Sequence, residues 1–177
     1  MAFDVSPEAV AAVERAIRPW RNEFPKARWV PTENWHVTLK FMGQTWPRLE
    51  RWVREQVGAA AKDSHPVGTR LTGLGSFPSA TRGRVLWAGI EDDAGDLALI
   101  ASALDEALVR EFAPERRPFS PHLTIARSDP PIRVPHAFAG SALEPVAFTV
   151  DRLILFRSHL RRPTPRYEPL ESFALGS

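Results

Sequence analysis

Apolar and polar positions along this chain follow two periods, one helical and one of strict alternation, and the switches between them mark out its elements. Val10, Val13, Ile17 and Trp20 recur at helical spacing and predict a buried stripe. Ser6-Pro7-Glu8 opens that helix with a hydroxyl cap, a proline at the first helical position and an early acidic residue. The helix is expected to end near Phe24-Pro25. Residues 35–42 then read as a strand stopped by Gly43, and Pro47 begins a second helix through Leu49, Trp52, Val53 and Val57. Strands follow over 68–77 and 84–90, with Pro78-Ser79-Ala80 as the turn between them.

The same grammar returns in the second half. A long helix is expected from about Ala94 through Leu97, Ile100, Leu104 and Leu108. Pro118-Phe119-Ser120-Pro121 leads into another strand, which Pro130-Pro131 is expected to break. Residues 148–156 read as one further strand and 167–170 as a short last one. Asp92-Asp93-Ala94-Gly95 is a loop, not a linker. Helices and strands alternate in both halves, which predicts an α+β fold of one domain, 1–177. The expected form is internally duplicated and two-lobed, with two antiparallel sheets flanking a central cleft and helices on the outer faces.

One short pattern occurs twice in this framework. His36-Val37-Thr38-Leu39 and His122-Leu123-Thr124-Ile125 both read His, apolar, Thr, apolar, about half the chain length apart. On a strand, side chains at i and i+2 share a face. Each copy therefore presents an imidazole beside a hydroxyl, while its apolar partners face the core. Two such pairs opposed across a cleft supply a proton donor, a proton acceptor and two hydrogen-bond donors, enough to open a phosphodiester without a metal. One His-x-Thr alone is unremarkable, and a single copy reads as a core histidine on a strand. Two copies with apolar flanks are harder to explain that way.

Composition narrows the field further. The chain lacks cysteine, so thiolate nucleophiles, disulfides and cysteine metal sites are excluded. It has no His-x-x-x-His, no dense carboxylate–histidine cluster and no glycine-rich phosphate loop, and a threonine hydroxyl is a poor transition-metal ligand. No metal and no cofactor are expected. No apolar run reaches the length of a membrane span and no leader pattern opens the chain, so a cytoplasmic location and no membrane partner are expected. Basic and acidic residues nearly balance at 23 to 21. Arginine far outnumbers lysine, and Arg152, Arg157, Arg161, Arg162 and Arg166 cluster near the end. Arginine suits bidentate phosphate contact, although any single one of these reads first as solvated surface.

These residues resemble the 2H phosphoesterases, in particular the RNA 2′,3′-cyclic phosphodiesterases also called 2′-5′ RNA ligases. Trp35-His36-Val37-Thr38-Leu39-Lys40-Phe41-Met42-Gly43 is similar to the family's first signature. Pro118-Phe119-Ser120-Pro121-His122-Leu123-Thr124-Ile125-Ala126-Arg127 is similar to its second, trailing arginine included. Arg84-Val85-Leu86-Trp87-Ala88-Gly89, Leu155-Phe156-Arg157-Ser158 and Tyr167-Glu168-Pro169-Leu170 extend the likeness over nearly the whole chain. Family members open with a strand ahead of the Ser-Pro-Glu-type helix, and here residues 1–5 enter that strand part-way.

The chemistry needs one imidazole to deprotonate water and another to protonate the leaving ribose oxygen, and histidine serves both near neutral pH. Residue chemistry leaves open which does which. The resemblance implies His36 as proton donor and His122 as proton acceptor, with Thr38 and Thr124 binding the non-bridging phosphate oxygens. It also supports Arg127 as a cationic phosphate contact. Strict alternation sends Arg127 to the wrong face, so a bulge or a strand end is required. Phe41 and Phe119 are candidates for stacking on a base, or plain core aromatics. Lys40 shares the His36 face and is expected at the cleft rim. His65, His136 and His159 are expected in surface or structural roles. The implied partner is RNA ending in a 2′,3′-cyclic phosphate, acted on by a monomer, with ATP-independent 2′-5′ ligation as the reverse reaction. The alternatives are a cyclic phosphodiesterase acting on small nucleotide derivatives and a non-catalytic RNA-binding module.

Overall fold

The computed structural model describes residues 1–159 and 165–176. Arg161 and Arg162 of the terminal arginine cluster lie outside the described residues. Nine strands are described: β1 (Ala2–Phe3), β2 (Arg28–Trp29), β3 (Val37–Thr38), β4 (Val67–Phe77), β5 (Gly83–Ile90), β6 (His122–Ile132), β7 (Ala147–Val150), β8 (Arg152–His159) and β9 (Arg166–Ala174). The helices are α1 (Pro7–Ile17), α2 (Trp20–Glu23), α3 (Glu50–Lys62), α4 (Asp96–Leu108) and α5 (His136–Ala139).

The Ser6 hydroxyl caps α1 by accepting from the Ala9 N–H, and Ala9, Ala12, Val13 and Ile17 form its buried side. The helix ends at Ile17, not near Phe24. Pro19 has no N–H to continue the ladder, so the chain restarts as the short α2. Trp20 and Phe24 then pack on Phe138 of α5. Pro47 opens a single 3-10 turn over Pro47–Leu49 before α3 begins. At the start of α4 the Asp92 carboxylate accepts from the N–H groups of Leu97 and Ala98, and Gly95 takes φ +79° to make the entry turn. α3 lies along α4 and β9, where Arg54 joins Glu50 to Glu171.

The fold is α+β with antiparallel pairing throughout, as the period switches predict. The strand order is β7-β4-β5-β6-β3-β1-β8-β9, with β2 also on β6. The strands thus form one continuous path, and the motif strands β3 and β6 are direct neighbours. Each side of that seam draws on both halves of the chain. β1 and β3 sit beside β8 and β9, whereas β4 and β5 sit beside β6 and β7.

Four strand expectations change, three of them for reasons visible in the pairing. β6 runs through Pro130 and Pro131 to Ile132, because the ladder with β5 is irregular between Gly83 and Val85, where missing donors are tolerated. The run 148–156 divides at Asp151, since β7 pairs with β4 while β8 pairs with β1 and β9. The last strand is longer than expected because β8 offers it a partner along its whole length. The strand expected over 35–42 is reduced to Val37–Thr38. One contiguous apolar core includes Phe3, Val37, Leu86, Leu104, Leu123, Ile125, Phe138 and Leu153. No helix among the described residues is long and apolar enough to cross a membrane.

Candidate active site

Val37 and Leu123 are partners across the β3–β6 seam, and both are buried in the core. They set the register. In an antiparallel pair Thr38 then lies across from His122, and His36 across from Thr124. Leu39 and Ile125 are also buried, whereas Thr38 is exposed and His36, His122 and Thr124 are half-buried. The apolar positions of both motifs therefore pin the strands, and the two imidazole–hydroxyl pairs share the opposite, accessible face.

The ladder between β5 and β6 shows how Arg127 reaches that face. Gly89, Trp87 and Val85 alternate along one face of β5, and their partners are His122, Thr124 and Arg127. Ile125 is left over between the last two. This extra residue is a β-bulge that reverses the alternation, so the Arg127 side chain joins His122 and Thr124. Of the two devices the sequence allows, a bulge or a strand end, the structure has the bulge.

The two imidazoles have different surroundings. His122 Nδ1 lies 2.7 Å from the Ser120 carbonyl oxygen. A carbonyl can only accept, so Nδ1 carries the proton in the neutral ring and Nε2 is left as an acceptor. The Phe77 ring meets His122 edge-on at 5.0 Å, and Trp87 backs Phe77 at 5.2 Å. A Cβ at Gly75 would overlap the Trp87 ring, so glycine is needed there for the indole to lie flat on β4.

His36 sits between rings from two other strands. Phe156 of β8 stacks on it at 5.2 Å and Tyr167 of β9 meets it edge-on at 4.6 Å. Burial disfavours its charged form and lowers its pKa from 6.5 to about 4. The positive charge of Arg127 acts in the same direction, while a backbone hydrogen bond to Asn34 opposes burial. Burial thus keeps the His36 imidazole uncharged at neutral pH.

Other candidates are placed elsewhere. Lys40 is not at the cleft rim. It is 1% exposed, donates to the Ala113 carbonyl at 2.6 Å and pairs with Asp105 at 2.5 Å. Alternation fails after Thr38, where Leu39 and Lys40 are both buried and Phe41 is 70% exposed. Phe119 is half-buried against the core. His65 is exposed near Asp96, His136 opens α5, and His159 pairs with Glu168 at 2.7 Å. Phe77, Phe156 and Tyr167 were missed as neighbours of the histidines. Phe156 and Tyr167 stand in the segments that carry the family likeness, but nothing local ties them to His36. Among the described residues, no group of three or more His, Asp or Glu side chains is placed to hold a metal ion.

Comparison with known proteins gives the family. The family model described as the 2′-5′ RNA ligase superfamily matches residues 7–162. The chain belongs to that superfamily. It is 32% identical over 178 residues to the RNA 2′,3′-cyclic phosphodiesterase of Geobacillus stearothermophilus, covering 99% of this chain and 56% of that protein. The chain thus spans little more than half the length of that relative. It is 31% identical to the RNA 2′,3′-cyclic phosphodiesterase of Thermus thermophilus, covering 94% of this chain and 83% of that one. The crystal structure of a Thermus thermophilus protein superposes with a TM-score of 0.84 at 29% identity, covering 98% and 95% of the two chains. The fold is also that of E. coli LigT complexed with 3′-AMP, with a TM-score of 0.80 at 24% identity over 99% and 96%.

Proposed function

We propose that this chain, acting as a single-domain monomer, hydrolyses the 2′,3′-cyclic phosphate at the end of RNA to a 2′-phosphomonoester. His122 Nε2 takes a proton from water, whose oxygen attacks phosphorus. The bond from phosphorus to the ribose 3′-oxygen breaks, and His36 gives that oxygen its proton. Thr38 and Thr124 donate hydrogen bonds to the non-bridging oxygens, and Arg127 offsets their charge. The observation that carries this reading is the Ser120–His122 hydrogen bond, which leaves Nε2 free as an acceptor on the face shared with His36, both threonines and Arg127.

The low pKa of His36 fits a proton donor once the substrate is considered. A phosphate anion entering between Arg127 and His36 favours the imidazolium and opposes the effect of burial. The proton is thus acquired with the substrate and lost to the leaving oxygen. The reverse reaction uses a 5′-hydroxyl in place of water and forms a 2′-5′ linkage without ATP, and bulk water favours hydrolysis.

The test is to incubate the protein with short RNA ending in a 2′,3′-cyclic phosphate, with EDTA present, and identify the product. The expected product is the 2′-phosphate isomer. A 3′-phosphate product reverses the roles of the two ribose oxygens. Loss of turnover on chelation, restored by a divalent ion, overturns the His/His mechanism.

A further inference from the structure

Phe41 and Trp46 are 70% and 60% exposed, unusual values for large apolar side chains, and both line one groove of about 560 Å³. Isolated exposed aromatics need no explanation, but two on one short loop facing the same groove do. One wall is the segment that leaves β3, carrying Phe41, Trp46 and Arg48. The other is the segment around Phe112 and Pro114 that leads towards β6.

The groove is a built feature. Lys40 donates to the Ala113 carbonyl and pairs with Asp105, whose second oxygen accepts the Glu115 N–H at 2.7 Å. This buried lysine ties the two walls together beneath the aromatic faces. Topology places the groove beside the reaction. Because β3 and β6 are antiparallel, the chain after Thr38 and the chain before His122 leave the seam at the same end. Even a fully extended chain puts Phe41 no more than about 11 Å from Thr38.

The charges indicate what the groove accepts. Arg48 lines it, and Arg116 and Arg117 follow its second wall in exposed positions. Among the described residues, none of these three lies within ion-pair distance of a carboxylate. Of the two nearby acids, Glu111 is engaged by Arg110 at 3.2 Å, which leaves only Glu115 against three arginines. Exposed aromatic faces together with unpaired cations suit single-stranded nucleic acid, whose bases stack and whose backbone is anionic.

We propose that this groove is a second RNA subsite, holding the nucleotides immediately 5′ of the cyclic phosphate, with a base on Trp46 or Phe41 and backbone phosphates on Arg48, Arg116 and Arg117. This deepens, and rests on, the phosphodiesterase reading above. The enzyme then selects oligonucleotide ends over free cyclic nucleotides.

The experiment compares cytidine 2′,3′-cyclic phosphate with a tetranucleotide ending in the same group, using wild type, Trp46→Ala/Arg48→Gln and Arg116→Gln/Arg117→Gln. Each double variant is expected to lower kcat/KM for the tetranucleotide about fivefold or more, mostly through KM, consistent with loss of one stacked base or of phosphate contacts. The mononucleotide should change less than about twofold. Equal loss on both substrates, or no loss on either, overturns the subsite. Anisotropy of a labelled tetranucleotide bearing a terminal phosphate separates the two proposals. If wild type hydrolyses neither substrate yet Trp46→Ala/Arg48→Gln weakens RNA binding, the phosphodiesterase reading fails and the groove stands. A concentration-dependent dimer abolished by the same variant, with RNA kinetics and binding unchanged, assigns the groove to self-association and overturns the proposal.

Discussion

His36 and His122 are chemically identical side chains that the fold places in different surroundings. His122 is oriented by a single carbonyl at 2.7 Å, while His36 is half-buried between Phe156 and Tyr167. Histidine-selective NMR titration should find His36 ionising near 4 in the free protein and clearly higher when inorganic phosphate is added. A free-protein value near 6.5 would contradict the burial account. Replacing either histidine with Ala is expected to lower kcat/KM at least about 10²-fold, the low end for general acid–base catalysis. The threonines transfer no proton. Thr124→Val keeps the strand preference and removes the hydroxyl, so it should cost roughly 2–4 kcal/mol of transition-state stabilisation, by analogy with oxyanion donors. The pH profile should keep its wild-type limbs, because both imidazoles remain. An unchanged kcat/KM in a folded Thr124→Val protein would remove the hydroxyl from the phosphate cradle.

At the scale of elements, small irregularities do most of the positioning. The bulge at Ile125 turns Arg127 onto the face of His122 and Thr124, and the loss of alternation after Thr38 turns Lys40 inward. Lys40 illustrates how alternation misleads. The β3 ladder ends at Thr38, so a face assignment carried to residue 40 has no strand to support it. Its burial makes a specific prediction. Lys40→Met leaves the Asp105 carboxylate and the Ala113 carbonyl without their cationic donor. Breaking such a buried pair should cost about 3–5 kcal/mol, read as a lower midpoint in urea denaturation. A change below about 1 kcal/mol would show the pair to behave as a solvated surface bridge. The capped start of α1 and its buried stripe were legible because caps and helical periodicity are local signals. The end of α1 was misread because the weight of Pro19 against a continuing apolar stripe is settled only by what the next turn packs on, here Phe138.

For the whole molecule, a histidine held neutral in the folded state couples stability to pH. The folded pKa of His36 is depressed below its unfolded value, so between about 6.5 and 4 the unfolded chain binds more protons at this position. This contribution to stability is therefore complete above the unfolded pKa and is lost as pH falls through that window. Thermal denaturation should show Tm falling from pH 6.5 towards 4 more steeply in wild type than in a folded His36→Gln variant. Parallel curves would mean that His36 is not the group responsible.

The sequence by itself determined the α+β class, the capped start of α1, the amphipathic helices and the two His-x-Thr pairs. These depend on local signals: side-chain period, cap chemistry and residue type at fixed spacing. It also determined that Arg127 needs a bulge or a strand end to reach the face of His122 and Thr124, because parity on a strand is a counting rule. Only the tertiary structure decided that β3 and β6 are neighbours on one path, that the run 148–156 serves two different partners, and that Lys40 is buried. The enclosure of His36 by Phe156 and Tyr167 was likewise decided there, along with the pairing of the walls around Phe41 and Trp46. Each of these depends on which distant segments meet. That outcome is set by how the whole apolar surface is buried at once, and no window of the chain contains it.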